Sequence, residues 1–186
     1  MVDSNEVIFM SIRAAAPEDI PAMLAIYSYF VEHTAVSFEY VTPSPEEFAE
    51  RLWAHRDYPW LVWEEDGRVL GYAYAGRAFE RAAYRWGAEI SCYLAEGARG
   101  RGVGRRLYAE IEDILRRQGV RKLYAVVTSE NAPSLAFHRA LGFTQTAYFP
   151  DAGYKNGAWY GVTWLEKALQ PLGTPEQFPI SWREIK

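Results

Sequence analysis

The stretch ARGRGVGRRL, residues 98–107, places three glycines and four arginines within ten positions of the chain. A β-favouring segment at 87–95, GAEISCYLA, leads into it, and an apolar helical face with Val103, Leu107 and Ile111 follows it. A strand, a glycine-rich turn and a helix in this order direct free backbone N–H groups and a helix dipole to one point. The stretch therefore predicts a phosphate-binding turn, and a solvated loop is the plain alternative.

Composition limits the kind of protein that this turn belongs to. The chain has 186 residues, is 49% hydrophobic and 24% charged, and carries a formal net charge of -4. These values predict one globular domain with a substantial core. The acidic balance argues against a protein that binds nucleic acid or an anionic membrane through its overall charge, including an RNA-binding reading of the arginine-rich turn. Any anion site must therefore be local.

The cysteine content and the apolar runs bear on the compartment. Cys92 is the single cysteine, which excludes an internal disulfide and a cysteine-based metal cluster and suits a reducing compartment. The sequence has no basic start followed by a long apolar run, and no run of roughly 18 apolar residues. We expect a cytoplasmic protein with no metal, no membrane partner and no nucleic-acid partner.

Hydrophobic periodicity and turn signals divide the rest of the chain into short elements. Strands are predicted at 7–15, 59–65, 68–78, 87–95, 122–128, 143–149 and 160–169, and helices at 17–33, 44–55, 103–118 and 131–141. Asp66-Gly67 predicts a tight hairpin, and a further turn is predicted in DAGYKNGAW, 151–159. The pattern indicates a single α/β (α+β) domain over 7–169, with a mixed, mostly antiparallel seven-stranded sheet flanked by about four helices. An extended C-terminal tail over 170–186 follows it.

Two common phosphate motifs do not fit the glycine-rich turn. A P-loop would end in Gly-Lys-Ser/Thr, but Gly104 is followed by Arg105. The dinucleotide fingerprint G-x-G-x-x-G also fails, because Arg105 stands where its last glycine is required. The pattern that fits is R-x-x-G-x-G, formed by Arg99, Gly102 and Gly104, and it resembles the acetyl-CoA pyrophosphate loop of the GCN5-related N-acetyltransferase (GNAT) family.

The resemblance continues through much of the chain, from about Ile12 to Leu169. NAPSLAFHRALGF at 131–143 looks like the family's segment for the pantetheine arm. Three further stretches look like its phosphinothricin and methionine sulfone acetyltransferase branch: YPWLVWEEDGRVLGYAYAG at 58–76, AYRWGAEISCYL at 83–94 and YKNGAWYGVTWLE at 154–166. The resemblance implies acetyl-CoA as cosubstrate and a small amino-acid analogue as the amine acceptor, with direct transfer and no metal.

The resemblance also implies which residues bind the cosubstrate. Glycines in the turn would let the backbone approach a pyrophosphate, and arginines would raise the local positive potential. Backbone N–H groups of the preceding strand would hold the developing oxyanion if that strand separates from its neighbour. The implied cofactor-binding residues are Cys92, Tyr93, Leu94, Arg99, Gly100, Arg101, Gly102, Val103, Gly104, Arg105, Asn131 and Ser134.

Two side chains are candidates for proton transfer. Glu89 is a carboxylate on an otherwise apolar strand, where burial would raise its pKa. The resemblance gives it the role of general base, through a bridging water, and a solvent-facing strand residue is the alternative. His138 stands where many family members have tyrosine, although the branch also has histidine there. An imidazole can exchange a proton at neutral pH, so we expect His138 to be the acid; a packing or surface histidine is the alternative.

The acceptor pocket is predicted less directly. By register with the branch, it would be lined by Phe79, Glu80, Arg81, Arg85, Ile90 and Ser91. The branch often has a basic residue where this chain has Phe79, so the anchor for a substrate carboxylate would be Arg77 or Arg81. Cys92 could in principle carry an acetyl group, but an apolar strand cysteine is usually inert.

We therefore predict an acetyl-CoA-dependent N-acetyltransferase acting on a phosphinothricin, methionine sulfone or methionine sulfoximine type of amine. The alternatives are acetylation of protein N-termini or another small amine, and a catalytically idle CoA-binding regulatory module. Aromatic residues of the last strands, Trp159, Tyr160 and Trp164, suggest a homodimer, although core burial would explain some of them.

Overall fold

The computed structural model describes residues 9–185, where the chain forms seven strands and four α-helices. Val7 and Ile8 of the first predicted strand, and the last residue of the predicted tail, lie outside the described residues. The strands are β1 (Met10–Ala14), β2 (Trp60–Glu65), β3 (Arg68–Arg77), β4 (Gly87–Leu94), β5 (Lys122–Thr128), β6 (Thr144–Lys155) and β7 (Ala158–Ala168). The helices are α1 (Ile20–His33), α2 (Pro45–Ala54), α3 (Val103–Gln118) and α4 (Ala132–Ala140).

All seven strands form one sheet in the order β1-β2-β3-β4-β5-β7-β6. Neighbouring strands are antiparallel except for β4 and β5, which are parallel. The hairpin at Asp66 and Gly67 is present, and both residues have positive φ, as a two-residue turn requires. The predicted single domain with a mixed, mostly antiparallel seven-stranded sheet is confirmed.

Helices cover the two faces of the sheet unequally. On one face, α3 packs its apolar side, including Leu107, Ile111 and Leu115, against the central strands. On the other face, α1 and α2 cover β2, β3 and part of β4 through a second cluster that contains Met23 and Tyr72. The half of this second face formed by β5, β7 and β6 carries no helix, and Val126 of β5 is 38% exposed there. The loop after α1 covers the far part of this half, where Phe38 lies against Gly153 and Tyr160. The remaining part, beside the parallel strand pair, is the open half-face of the sheet.

The helix boundaries follow from their capping residues. Ser44 accepts a hydrogen bond from the Glu47 amide while Glu47 bonds back to the Ser44 amide, which forms the capping box that starts α2. Gly102 precedes α3 and Gly119 follows it, both with positive φ. Asn131 caps α4 by accepting from the Ser134 amide. The three helices begin within one residue of the starts predicted at 44, 103 and 131.

The turn expected over 151–159 is shorter than predicted. β6 continues through this stretch to Lys155, and the turn itself contains only Asn156 and Gly157. Two register irregularities, one of them between Phe149 and Gly153, let the strand pass Pro150 and resume its pairing with β7. Asp151 and Gly153, which belong to the predicted turn, lie instead at this bulge.

The C-terminal tail lies across the end of α3. The side-chain amide of Gln118 donates to the carbonyl oxygens of Asp57 and Ile180, and the Ile180 amide donates to the Gln118 carbonyl. The ring of Phe178 stacks on Trp86, which follows the β3–β4 connection. The tail thereby ties the end of α3 to the segment that leads into β4. Within the described residues, no helix has the length and apolarity needed to cross a membrane.

Candidate active site

The parallel pair β4 and β5 opens into a gap. The two strands are paired only at Gly87, Ala88 and Glu89, and beyond the Glu89–Tyr124 pair their remaining residues no longer match. β4 stays paired with β3 up to Leu94, and β5 stays paired with β7 up to Thr128. β4 thus stays paired with β3 and β5 stays paired with β7, while the edges of β4 and β5 that face each other separate.

The pairing of β4 with β3 fixes which of its N–H groups face this gap. The Ala95 amide donates to the Leu70 carbonyl, next to the Leu94–Gly71 pair, so Leu94 is in a non-hydrogen-bonded position. Cys92 is two residues earlier on the same strand, so it is also in a non-hydrogen-bonded position. The N–H groups of Cys92 and Leu94 therefore point away from β3 and into the gap.

A cavity of about 460 Å³ fills the gap and reaches the start of α3. Its walls come from β4, the turn before α3, the open end of β5 and α4. Among the residues predicted from sequence, it is lined by Ile90, Ser91, Cys92, Tyr93, Leu94, Arg99, Gly100, Gly102, Val103, Gly104, Arg105, Asn131, Ser134 and His138. The structure therefore brings most of the predicted cofactor residues around one cavity.

The turn before α3 has the backbone conformation that its glycines predict. Gly100 has φ of 72° and Gly102 has φ of 80°, a region that side chains with a Cβ rarely adopt. A Cβ at either position would meet no atom within 4 Å, so the space beside both residues is open. The Arg106 amide is the first to bond back, to the Gly102 carbonyl. The amides of Val103, Gly104 and Arg105 in the first helical turn are therefore free to bind an anion.

The four arginines of the turn separate into two pairs. Arg99 and Arg105 line the cavity. Arg101 does not: its guanidinium forms two hydrogen bonds with Glu65, of 2.8 and 3.0 Å, and this partner holds it against the end of β2. Arg106 lies over the Trp63 ring, 5.5 Å from its centroid. Arg101, predicted to bind the cofactor, thus lies outside the cavity wall, and its side chain braces the turn through Glu65 and the Gly97 carbonyl.

His138 is buried with both ring nitrogens engaged. Nδ1 lies 2.8 Å from the Ser134 carbonyl oxygen, which can only accept, so Nδ1 carries the hydrogen. Nε2 lies 2.9 Å from the Tyr108 hydroxyl. Burial lowers the pKa of His138, so the ring is neutral near pH 7 and Nε2 accepts the hydroxyl hydrogen of Tyr108. Both side chains line the cavity.

Glu89 lies where β4 and β5 part. Its register partner across β3 is Gly76, and Ser91 and Tyr93 follow it on the same face of β4. This is the face that α1 and α2 cover in part, opposite to α3. Burial raises the pKa of Glu89, as expected for a carboxyl group away from water. Glu89 is not among the residues lining the cavity, but it borders the gap through which the two faces communicate.

Comparison with known proteins identifies this arrangement. A model of the acetyltransferase (GNAT) domain matches residues 12–180. The chain belongs to the GNAT family. It is 35% identical over 167 residues to the phosphinothricin N-acetyltransferase of Streptomyces viridochromogenes, covering 89% of this chain and 91% of the relative. It is 36% identical over 171 residues to the L-methionine sulfoximine/L-methionine sulfone acetyltransferase of Salmonella typhimurium, covering 90% and 99%.

A solved structure of the same family has this fold. The phosphinothricin acetyltransferase of Sinorhizobium meliloti, determined in complex with acetyl-CoA, superposes with a TM-score of 0.82 at 33% identity. The match covers 86% of this chain and 88% of that one. The GNAT fold predicted from sequence is confirmed.

The residues of this GNAT chain fit acetyl-CoA. The open space beside Gly100 and Gly102, the free amides at the start of α3, and Arg99 and Arg105 provide a place for a diphosphate. The cavity continues from there to the amides of Cys92 and Leu94, which could receive the thioester end. As for metals, no group of three or more His, Cys, Asp or Glu suited to an ion occurs in the part of the chain that the structure describes.

The predicted acceptor residues do not all meet at the cavity. Ile90 and Ser91 line it, whereas Phe79, Glu80, Arg81 and Arg85 lie on the exposed connection between β3 and β4, outside the cavity wall. The Ile90 side chain belongs to the core under α3. Arg85 lies over the Phe178 ring of the tail, 5.1 Å from its centroid. The connection instead borders the open half-face of the sheet.

Cys92 lines the cavity, but its thiol is not activated. Burial raises the pKa of Cys92 to about 12, so the thiol stays protonated at neutral pH. A protonated thiol is a poor nucleophile, as expected for a cysteine in an apolar strand. The role of the Cys92 backbone N–H group stays a prediction.

Sequence reasoning missed several residues of the cavity wall. Tyr108 lies on the buried side of α3, where an apolar pattern indicates core, yet a buried tyrosine hydroxyl needs a polar partner and could have been singled out. Phe30 and Val36 come from α1 and the loop after it, which are distant in sequence from the glycine-rich turn. No local signal links those residues to the site.

Proposed function

We propose that this protein transfers the acetyl group of acetyl-CoA to the amine of a small amino-acid analogue of the phosphinothricin or methionine sulfone and sulfoximine type. The gap between β4 and β5 is the observation that supports the proposal most. This gap connects two faces of the sheet. The cavity with the glycine-rich turn lies on the α3 side, and the Glu89 side chain lies on the opposite face. An amine approaching from the Glu89 side would reach the inner end of the cavity.

The chain's residues have distinct tasks in this proposal. Bound acetyl-CoA supplies the acetyl thioester. Glu89, whose raised pKa makes it a stronger base than an ordinary carboxylate, removes the ammonium proton through a bridging water. The amides of Cys92 and Leu94 donate hydrogen bonds to the carbonyl oxygen as it gains negative charge. The new carbon–nitrogen bond replaces the carbon–sulfur bond.

The departing sulfur needs a proton in return. We assign this step to His138 together with Tyr108. Because Nδ1 of His138 is committed to the Ser134 carbonyl, the proton available at the cavity is the one on the Tyr108 hydroxyl. His138 orients that hydroxyl by accepting its hydrogen bond at Nε2. Burial raises the pKa of Tyr108, so the hydroxyl keeps its proton until the sulfur carries negative charge. When the proton moves to the sulfur, water returns a proton to the phenolate. The two side chains together thus take the role of general acid that was predicted for His138 alone.

The direct test is turnover on a panel of amines. Purified protein is mixed with acetyl-CoA and methionine sulfone, methionine sulfoximine, phosphinothricin or peptides with free N-termini, and free thiol is followed. Turnover on the amino-acid analogues supports the proposal. Turnover on peptides alone would make this an N-terminal acetyltransferase, and CoA binding without turnover on any amine would make it a regulatory module.

We also propose a homodimer in a reducing compartment such as the cytoplasm. Trp159 of the β6–β7 hairpin is 61% exposed, and Phe149 and Tyr154 of β6 are also exposed, which favours a protein partner for this region. The single cysteine, Cys92, is a free thiol. Light scattering of the purified protein tests the dimer: a monomeric mass at micromolar concentration would contradict it.

A further inference from the structure

Four apolar side chains form a platform on the open half-face of the sheet: Phe79, Tyr124, Val126 and Trp164. Tyr124 is the register partner of Glu89, and partners in register present their side chains to the same face. Val126 is two residues further along β5, and Trp164 of β7 is its partner. The apolar platform therefore lies on the same face as the Glu89 carboxylate and directly beside it.

The rings of the platform hold each other in place. Phe79 stacks on Trp164, with centroids 5.7 Å apart and planes 13° from parallel. Its ring also meets Tyr124 edge-on, at 5.6 Å. The Tyr124 ring crosses Gly87, where an added Cβ would come within 2.9 Å of it. Phe79 nevertheless remains 36% exposed, and Val126 lines the cavity. The platform is a fixed apolar surface that a ligand can reach.

The charges around the platform are mostly neutralised. The Lys122 ammonium lies 5.9 Å from the centroid of the Tyr124 ring, and it forms an ion pair of 2.7 Å with Glu166. On the β3–β4 connection, Arg77 pairs with Glu80 at 3.7 Å. The charges of Lys122 and Arg77 are thus each offset by a neighbouring carboxylate.

Two further arginines lie on the same connection. Arg85 is turned toward Phe178 of the tail. Arg81 is exposed, and among the residues described its guanidinium has no acidic or aromatic partner. Arg85 keeps its charge but is engaged with the tail, so Arg81 is the arginine of this connection left to pair with an acceptor carboxylate.

We propose that the acceptor is an α-amino acid with an uncharged side chain, which lies on the apolar platform while its carboxylate pairs with Arg81. This inference rests on the proposed function and narrows its range of acceptor amines. The uncharged methionine sulfone type is the substrate class, and phosphinothricin, whose phosphinate is a second anion, is disfavoured. A phosphinate above Phe79 and Trp164 would lose water without gaining a cation.

The test compares kcat/KM for methionine sulfone and for phosphinothricin. The wild-type protein is expected to favour methionine sulfone by at least about tenfold. Phe79→Lys places a cation at the platform and should shift the ratio toward phosphinothricin by about tenfold or more. Trp53→Lys, on an exposed aromatic residue of α2 away from the platform, is the matched control and should leave the ratio unchanged. Phe79→Leu keeps the surface apolar and should keep the wild-type preference, so the test does not depend on Phe79→Lys folding.

The outcomes separate this inference from the function on which it rests. Equal or faster use of phosphinothricin by the wild type, or an unchanged ratio in a folded Phe79→Lys variant, would overturn the apolar-platform assignment while leaving the acetyltransferase proposal intact. Absence of thiol release with every amine would instead overturn the proposed function. Calorimetry of the two amino acids against protein saturated with CoA then measures the preference directly. Tighter binding of phosphinothricin, or binding of neither, contradicts the inference.

Discussion

The Tyr108 hydroxyl lies 2.9 Å from Nε2 of His138, inside the wall of the cavity and 30 residues away in sequence. Since Nδ1 of the imidazole is bound to the Ser134 carbonyl, the hydroxyl is the donor in this contact. The imidazole proposed as the acid is therefore hydrogen-bonded to a side chain from a second helix, and we assign the proton transfer to the two together.

Tyr108→Phe removes the donor and leaves Nε2 of the buried imidazole unpaired. We expect a loss of about 1–3 kcal/mol in the free energy of unfolding and a fall in kcat. Tyr148→Phe, on an exposed ring of β6, should change neither. Turnover measured across a double-mutant cycle with His138→Gln decides whether the two act together: the double variant should be hardly slower than either single one. Fully additive losses in kcat would show that the two residues act separately.

Glu89→Gln should lower kcat by about 10²–10⁴-fold while the acetyl-CoA Kd stays near the wild-type value. Glu110→Gln, on an exposed position of α3, is the control and should behave as wild type. The pH profile gives a second readout. Because burial raises the pKa of Glu89, the carboxyl group takes up its proton at a pH above the ordinary value of about 4.3. kcat/KM should therefore fall as the pH drops through that raised pKa in wild type, and this limb should vanish in Glu89→Gln. An identical profile in both proteins would exclude Glu89 as the base.

Gly102→Ala and Gly67→Ala form a matched pair of glycine substitutions. Both glycines have positive φ, of 80° and 75°, and a Cβ at either would meet no atom within 4 Å. Each change should cost about 1–2 kcal/mol in stability through the backbone alone. Only Gly102→Ala places a methyl group where the diphosphate is expected, so only this variant should weaken acetyl-CoA binding, by about tenfold or more. Calorimetry on both proteins checks this, and equal Kd values would argue against this turn as the diphosphate site.

Lys155→Met tests the anchor of the loop after α1. The buried ammonium of Lys155 donates to the carbonyl oxygens of Val31 and Ser37, at 2.6 and 2.7 Å, although burial lowers its pKa. Its loss should cost about 1.5–3 kcal/mol and speed amide exchange in the loop at 34–44, which contributes Val36 to the cavity. Lys122→Met removes a half-exposed ion pair and should cost less than about 1 kcal/mol. Unchanged exchange in the loop would mean that Lys155 does not hold it.

The order of the elements was predictable because each depends on residues close together in the chain. The apolar spacing of α3, the capping residues of α2 and α4, and the Asp66-Gly67 hairpin are all local features. The turn over 151–159 was misjudged for a related reason: its turn-forming residues are absorbed by a bulge, which depends on the pairing with β7. At this point the pairing of β6 with β7 outweighs the local preference of these residues for a turn.

The sequence by itself determined the strand, the glycine-rich turn and the helix that form the candidate anion site. Positive φ at Gly100 and Gly102 and the free amides of a first helical turn are properties of the backbone in a single segment. Only the tertiary structure decided where β4 and β5 part, which arginines of the turn face the cavity and that Arg101 turns instead to Glu65, 36 residues away. Those outcomes depend on which distant groups meet when the sheet and helices pack. No pattern within one segment contains that information.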